Sequence, residues 1–158
     1  MHDFSRISIY FDASRKLVGV PCGKNPKDEH GTVEVDIFFT LDSGYSDDEL
    51  EIFITNVFDA CYSKEYVEGE PTAIQKYTKA KNYVSATKGY QFILVSWLKD
   101  EGYTISPWKA DKKYRGSFVP INGISIKVSL YSKHKPVEKG ALALAFRKAM
   151  EIVEQSDS

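Results

Sequence analysis

The pattern of apolar and polar positions along the chain is most regular over residues 46–61. Apolar side chains recur there at the spacing of one face of an α-helix. The members of this stripe are Leu50, Phe53, Ile54, Val57, Phe58 and Cys61. Ser46 and Glu49 stand where a capping box needs its hydroxyl and its carboxylate. We therefore predict a helix that begins at Ser46, buries this stripe and exposes Asp48, Glu51 and Asp59.

Alternating or continuous apolar runs elsewhere predict short strands. The predicted strands are residues 6–11, 16–20, 32–41, 90–98, 103–108 and 124–130. Residues 99–102 form a tight connection in which Gly102 suits a positive φ. The segments 21–31 and 109–116 are rich in turn-forming or charged residues, which predicts exposed loops.

Two further helices are predicted from apolar stripes bounded by proline and glycine. The first, over residues 72–87, follows the break at Pro71 and stops before Gly89. The second opens at Pro136, because a proline at the first helical position loses no hydrogen bond. Its buried stripe consists of Leu142, Ala145, Phe146, Ala149 and Val153.

The order of these elements predicts an α+β fold with an antiparallel, meandering sheet and helices packed on one face. The 158 residues, 42% of them hydrophobic and 27% charged, suit one sizeable core. We therefore expect a single globular domain over residues 1–158, with only residues 155–158 frayed.

Several features favour a cytoplasmic protein. No stretch reaches the roughly 18 consecutive apolar residues that a membrane helix needs, and the N-terminus lacks the architecture of a signal peptide. The two cysteines make a poor disulfide framework. Cys61 falls on the apolar helix stripe and is expected to be a buried free thiol, whereas Cys22, in a turn, is open to exposure.

The net charge of −1 hides a separation of charge along the chain. Residues 28–70 hold thirteen acidic side chains against one base, Lys64, a balance of −12. Residues 71–135 hold twelve Lys or Arg against three acids, a balance of +9. If the separation persists on the folded surface, each half would steer a partner of opposite charge. If the two halves interleave in space, they neutralise one another.

The acidic half offers candidate contacts with a positively charged partner. Carboxylates on a helix and on an acidic segment can mimic phosphates and occupy the basic cleft of a nuclease. The candidate partner-binding residues are Asp47, Asp48, Glu51, Glu65, Glu68 and Glu70. A merely solvated helix face accounts equally well for the same residues.

The basic half interleaves lysines with aromatic residues, the combination that holds single-stranded nucleic acid. Arginine is scarce in it and no RNP-like or KH-like motif occurs, which favours lysines as a solvated rim around core tyrosines. A nucleic-acid-binding protein that uses this half is the main alternative.

Motifs for catalysis are few. The run His30-Gly31-Thr32 matches one H-x-T element of the two-histidine phosphoesterases, but the second element is absent. Cys22 and His30 could form a nucleophile–base pair within one loop, without a third orienting group. No metal-ligand spacing and no nucleotide-binding fingerprint occurs. We predict no enzyme activity, no catalytic residues, no metal and no cofactor; a small hydrolase with a Cys22/His30 site is a further alternative.

The C-terminal half contains a recognisable combination of segments. Residues 77–83 read YTKAKNY, residues 92–97 read FILVSW, residues 103–107 read YTISP, and residues 138–146 read EKGALALAF. With these segments, residues 76–151 resemble a family of bacterial contact-dependent growth inhibition immunity proteins. Gly140, inside the predicted last helix, is the most unusual feature of the match. The resemblance implies a cytoplasmic protein that binds and neutralises the toxin domain of a cognate effector, commonly a nuclease, and it offers no catalytic residues.

Overall fold

The computed structural model describes residues 3–130 and 137–156 and confirms the α+β class, with antiparallel strand pairing throughout these ranges. The strands are β1 Phe4–Phe11, β2 Leu17–Val20, β3 Cys22–Lys24, β4 Thr32–Glu34, β5 Phe39–Leu41, β6 Gln91–Leu98, β7 Gly102–Ala110, β8 Phe118–Pro120 and β9 Ile126–Ser129. The helices are α1 Asp47–Asp59, α2 Ala73–Thr78, α3 Tyr83–Thr87 and α4 Ala141–Ser156. None of these helices is long and apolar enough to cross a membrane.

The main sheet joins two meanders side by side. Its strand order is β5-β2-β1-β6-β7, and the far edge of β7 pairs with both β8 and β9. The join is the full-length pairing of β1 with β6, in which Phe4 stands opposite Leu98 and Phe11 opposite Gln91. Strands β3 and β4 form a separate two-stranded hairpin.

The two long helices, α1 and α4, cover the first face of the sheet. The apolar stripe predicted for α1 is buried at Leu50, Phe53, Ile54 and Val57, while Phe58 is half-buried against the same core. The stripe predicted for α4 is buried in full. Both stripes pack on sheet residues such as Ile9, so hydrophobic burial holds the two helices to this face.

The short helices α2 and α3 cover part of the second face. Tyr10 and Phe92 point away from α1 and α4, because successive side chains of a strand alternate between faces. They pack with Ala73, Ile74 and Ala86 of the short helices. The predicted packing of helices on one face therefore describes the long helices α1 and α4. The second face of the sheet is also apolar, and α2 and α3 bury part of it.

The predicted helix over residues 72–87 is divided in two. Thr72 and Gln75 form a capping box at the start of α2. Lys79 then adopts a left-handed conformation with φ of 61°, which ends that helix. Asn82 accepts a hydrogen bond from the Ser85 N–H and caps α3. The periodic apolar pattern continues through the break, and for this reason the sequence predicts one long helix.

The predicted strand over residues 32–41 is also divided, since β4 pairs with β3 while β5 pairs with β2. Part of the predicted loop 21–31 is accordingly strand β3. The predicted loop 109–116 contains the last residues of β7, and the short strand β8 after it was not predicted. Three-residue strands carry too little alternation to be detected from the sequence.

The predicted position of Gly140 inside the last helix is wrong. Gly140 precedes α4 and has φ of 88°, a left-handed conformation that favours glycine. Pro136, the predicted start of that helix, lies outside the described residues. Gln155 and Ser156, predicted to fray, are the last residues of α4.

Candidate partner-binding surfaces

The carboxylates at the start of α1 contact α4 and the residues just before it. The predicted capping box between Ser46 and Glu49 is present. Asp47 accepts a hydrogen bond from Arg147 Nε at 2.7 Å. Asp48 lies 3.8 Å from Lys139 Nζ, and both side chains are largely exposed. Asp48 is therefore the less engaged of the two aspartates and the more accessible to a partner.

Glu51, predicted to be exposed, is instead half-buried at the junction of α1 and α4. Its two carboxylate oxygens accept hydrogen bonds from the N–H groups of Gly140 and Ala143, each at 3.0 Å. These N–H groups lie at the N-terminus of α4, where backbone donors lack partners within the helix and a negative charge is favourable. Glu51 therefore acts as a tertiary cap that fixes α4 against α1.

The other three candidate carboxylates lie in an exposed segment beyond the C-terminal end of α1. Glu65, Glu68 and Glu70 are exposed, and Glu68 pairs with Lys27 of the β3–β4 hairpin at 2.9 Å. Tyr62, which opens this segment, donates a hydrogen bond to the Phe4 carbonyl at the start of β1.

The six candidate residues therefore form two groups rather than one cluster. Helix α1 has 13 residues, which makes it about 20 Å long at 1.5 Å per residue. The group at its N-terminus comprises Asp47, Asp48 and Glu51. The group beyond its C-terminus, hereafter the acidic segment, comprises Glu65, Glu68 and Glu70.

Part of the charge separation along the sequence is neutralised by folding. Asp36 binds both Lys64, at 2.6 Å, and Lys76, which brings the two halves of the chain together. These two lysines hold the pKa of Asp36 down at about 2, below its usual value. Asp36 itself is largely buried, with 14% of its side chain exposed.

We expect the Asp36 bridge to stabilise the fold above pH 4 and to fail in stronger acid. Because the pKa of Asp36 in the folded state is lowered, its contribution is present above the unfolded-state pKa and is lost as the pH falls toward about 2. Asp36→Asn should lower the free energy of unfolding by about 1–2 kcal/mol at pH 7, allowing for screening by solvent. Urea unfolding at pH 7 and at pH 2.5 should show this difference shrinking. Asp42→Asn, which removes an exposed pair with Lys16, should change little at either pH; an equal loss in both variants would contradict the prediction.

A group of exposed basic side chains lies around α2, α3 and the β7–β8 connection. They are Lys79, Lys81, Lys88, Lys109, Lys112, Lys113 and Arg115. No salt bridge to them occurs within the described residues. The charge separation thus persists in part, because the acidic segment and this group of basic side chains, hereafter the basic end, both remain exposed. The aromatic residues Tyr77, Tyr83 and Tyr90 pack into the second-face core, whereas Tyr114 is 59% exposed at this end.

A hydrogen-bonded polar network of Tyr10, Glu34 and Tyr83 lies under the second face. Tyr10 Oη donates to Glu34 at 2.7 Å and lies 2.8 Å from Tyr83 Oη. Burial raises the pKa of Glu34, opposed by hydrogen bonds from Ser8 and Tyr10. Burial also raises the pKa of Tyr83 to about 12. A cavity of about 380 Å³ adjoins this network and has Arg115 in its wall. The sequence pattern does not predict this network, because its members come from three separate elements, β1, β4 and α3.

The Cys22/His30 pair has no catalytic geometry. Cys22 is buried and its sulfur accepts a hydrogen bond from the Arg6 N–H. His30 is exposed at the tip of the β3–β4 hairpin, where its N–H donates to Asp28. Within the described ranges, no group of three or more His, Cys, Asp or Glu side chains could hold a metal ion.

Comparisons with known proteins identify a shared fold. No family model matches the chain, and no curated protein matches it significantly. Its structure is similar to that of a protein of unknown function from Neisseria meningitidis, with a TM-score of 0.67 and 10% sequence identity over 95% of each chain. It is also similar to a chain of the CdiA-CT/CdiI toxin and immunity complex from Yersinia pseudotuberculosis. That match has a TM-score of 0.57 and 13% identity over 93% of this chain and 98% of the other.

Proposed function

We propose that this chain is an immunity protein, which binds a toxin domain and neutralises it by protein–protein interaction, without catalysis. The observation that carries the proposal is the fold shared, over nearly its whole length, with a chain of a toxin and immunity complex. The resemblance of residues 76–151 to contact-dependent growth inhibition immunity proteins supports the same assignment from the sequence. An immunity protein of this kind acts in the cytoplasm.

The proposed partner is a nuclease toxin. A nuclease keeps a positively charged cleft for phosphates, and carboxylates that cannot be cleaved can fill it. The acidic segment is the surface that suits this role, because Glu65, Glu68 and Glu70 are exposed. Among these three, only Glu68 has a salt-bridge partner in the described parts of the chain, and that surface pair is of little energetic value. Asp48 offers a second, separate point of contact, while Asp47 and Glu51 are engaged with α4.

The proposal is tested by co-expression with a toxin domain encoded next to this chain's gene. We expect cells that carry both to grow and cells that carry the toxin domain alone to arrest. The two proteins should also co-purify and elute together in size-exclusion chromatography. A Phe53→Ala variant, unable to hold its core, serves as the control that should not protect. If the intact chain neither protects nor co-purifies, the immunity assignment is wrong.

Nucleic-acid binding is the second candidate, and the exposed basic end favours it. Lys88 and Arg115 line one cavity of about 550 Å³ between α3 and the β7–β8 connection, together with Asp111. A single-stranded oligonucleotide should then bind in 50 mM salt and dissociate steeply as salt rises. Fluorescence anisotropy separates the two candidates, since an immunity protein needs no such affinity.

A further inference from the structure

Two cysteines that are 39 positions apart lie side by side in the fold. The Cys22 N–H donates to the sulfur of Cys61 at 3.4 Å. The backbone of Arg6 contacts both sulfurs: its N–H donates to Cys22 Sγ at 3.5 Å, and its carbonyl accepts from Cys61 Sγ at 3.8 Å. The two sulfurs therefore bracket one residue of β1, and both cysteines are free thiols.

Neighbouring backbone contacts hold the pair in place. The Tyr62 N–H donates to the Cys22 carbonyl at 2.8 Å, so the end of α1 is tied to β3 beside the sulfurs. The Cys22 N–H already lies 3.4 Å from Cys61 Sγ, so the two side chains occupy one site in the fold. A disulfide requires two cysteines that lie close together in the fold. Cys22 and Cys61 are neighbours of this kind.

The two thiols are chemically unequal. The hydrogen bond from the Cys61 thiol, together with the Arg6 N–H, lowers the pKa of Cys22, against the opposing effect of burial. The same thiol–thiol hydrogen bond and burial raise the pKa of Cys61. The thiolate is the nucleophilic form, so the lowered pKa favours Cys22 as the attacking sulfur, and the protonated Cys61 beside it is placed to resolve the oxidised product.

We propose that Cys22 and Cys61 form a reversible oxidation site, in which a small peroxide converts the two thiols into an intramolecular disulfide. The Cys22 thiolate attacks one peroxide oxygen; the O–O bond breaks and hydroxide leaves, giving a sulfenic acid. The Cys61 sulfur then attacks the Cys22 sulfur, the S–O bond breaks, and the oxygen leaves as water with the Cys61 proton. For hydrogen peroxide, the sum is two thiols oxidised, one peroxide reduced and two waters released.

Access to the buried sulfur is provided by the β3–β4 hairpin. Its strands have three residues each and form a sheet of their own. A two-stranded hairpin is marginally stable by itself, so it opens locally more readily than the main sheet. Cys61 is partly exposed, which leaves one side of the pair close to solvent.

The experiment treats the reduced, full-length protein with hydrogen peroxide and follows its intact mass. We expect the loss of two hydrogen atoms, the disappearance of both free thiols, and a peptide linking Cys22 to Cys61 on digestion without reductant. The melting temperature should rise on the order of 10 °C, because the cross-link restricts the unfolded chain. Dithiothreitol should reverse every change.

Two variants separate the roles of the thiols. Cys61→Ser should accumulate a sulfenic acid that dimedone traps on Cys22, while Cys22→Ser should lose its remaining thiol at least tenfold more slowly. Retention of both thiols in the native wild-type protein would overturn the proposal, and so would oxidation that yields only intermolecular disulfides. The wild-type mass readout decides the matter even if a variant fails to fold. None of these outcomes depends on the identity of a toxin. The experiment therefore tests the oxidation site independently of the proposed function.

Discussion

Replacing Phe53 by alanine is expected to unfold the protein at temperatures where the wild type is folded. Phe53 is 6% exposed on the buried face of α1. Its ring fills the space above Gly19 of β2, where even an added Cβ would lie 3.0 Å from Phe53 Cζ. Truncating a buried phenylalanine costs about 3–5 kcal/mol, a large part of the 5–15 kcal/mol that stabilises an ordinary domain.

The preceding residue supplies a matched control. Ile52 belongs to the same helix but is 60% exposed, so Ile52→Ala should change the free energy of unfolding by no more than about 0.5 kcal/mol. Thermal melts followed by circular dichroism compare the two variants directly. Equal melting temperatures for Phe53→Ala and the wild type would show that α1 does not hold the core as described.

Reversing the charge of the acidic segment is expected to weaken toxin binding by orders of magnitude. The variant combines Glu65→Lys, Glu68→Lys and Glu70→Lys. A carboxylate that becomes desolvated and hydrogen-bonded in a complex is worth about 2–5 kcal/mol, and each 1.4 kcal/mol corresponds to about a tenfold change in Kd. All three side chains are exposed, so the fold should persist, which the melting temperature verifies.

The basic end provides the opposing variant. Lys79→Glu, Lys81→Glu and Lys88→Glu change three exposed side chains by the same amount of charge and should leave toxin binding nearly unchanged. Titration calorimetry of both variants with the toxin domain gives the two Kd values. If the lysine variant is the damaged one, the contact surface lies on the basic end and the acidic-segment model is wrong. Glu51 is left out of the acidic set, because its reversal would disturb the start of α4.

Local sequence patterns determined the elements whose contacts lie within a few residues. The capping box of α1 joins Ser46 to Glu49, three positions apart. The stripes of α1 and α4 follow the helical period, and the β6–β7 hairpin follows from its strand pattern and Gly102. In each case the physical cause is a steric or hydrogen-bonding preference that acts between near neighbours, and for this reason the sequence alone reveals it.

Contacts between distant residues were decided only by the tertiary structure. Glu51 meets Gly140 across 89 positions, and Cys22 meets Cys61 across 39. The first contact follows from the packing of α1 and α4 on the sheet, and the second from the position of β3 and the end of α1 beside β1. No short stretch of sequence specifies either arrangement. The carboxylates predicted to form one acidic surface likewise form two groups in the structure. The charge balance of a sequence segment does not show which of its carboxylates pair with α4. The sequence thus set the local elements, and the register and packing of the sheet set which side chains remain free to bind a partner.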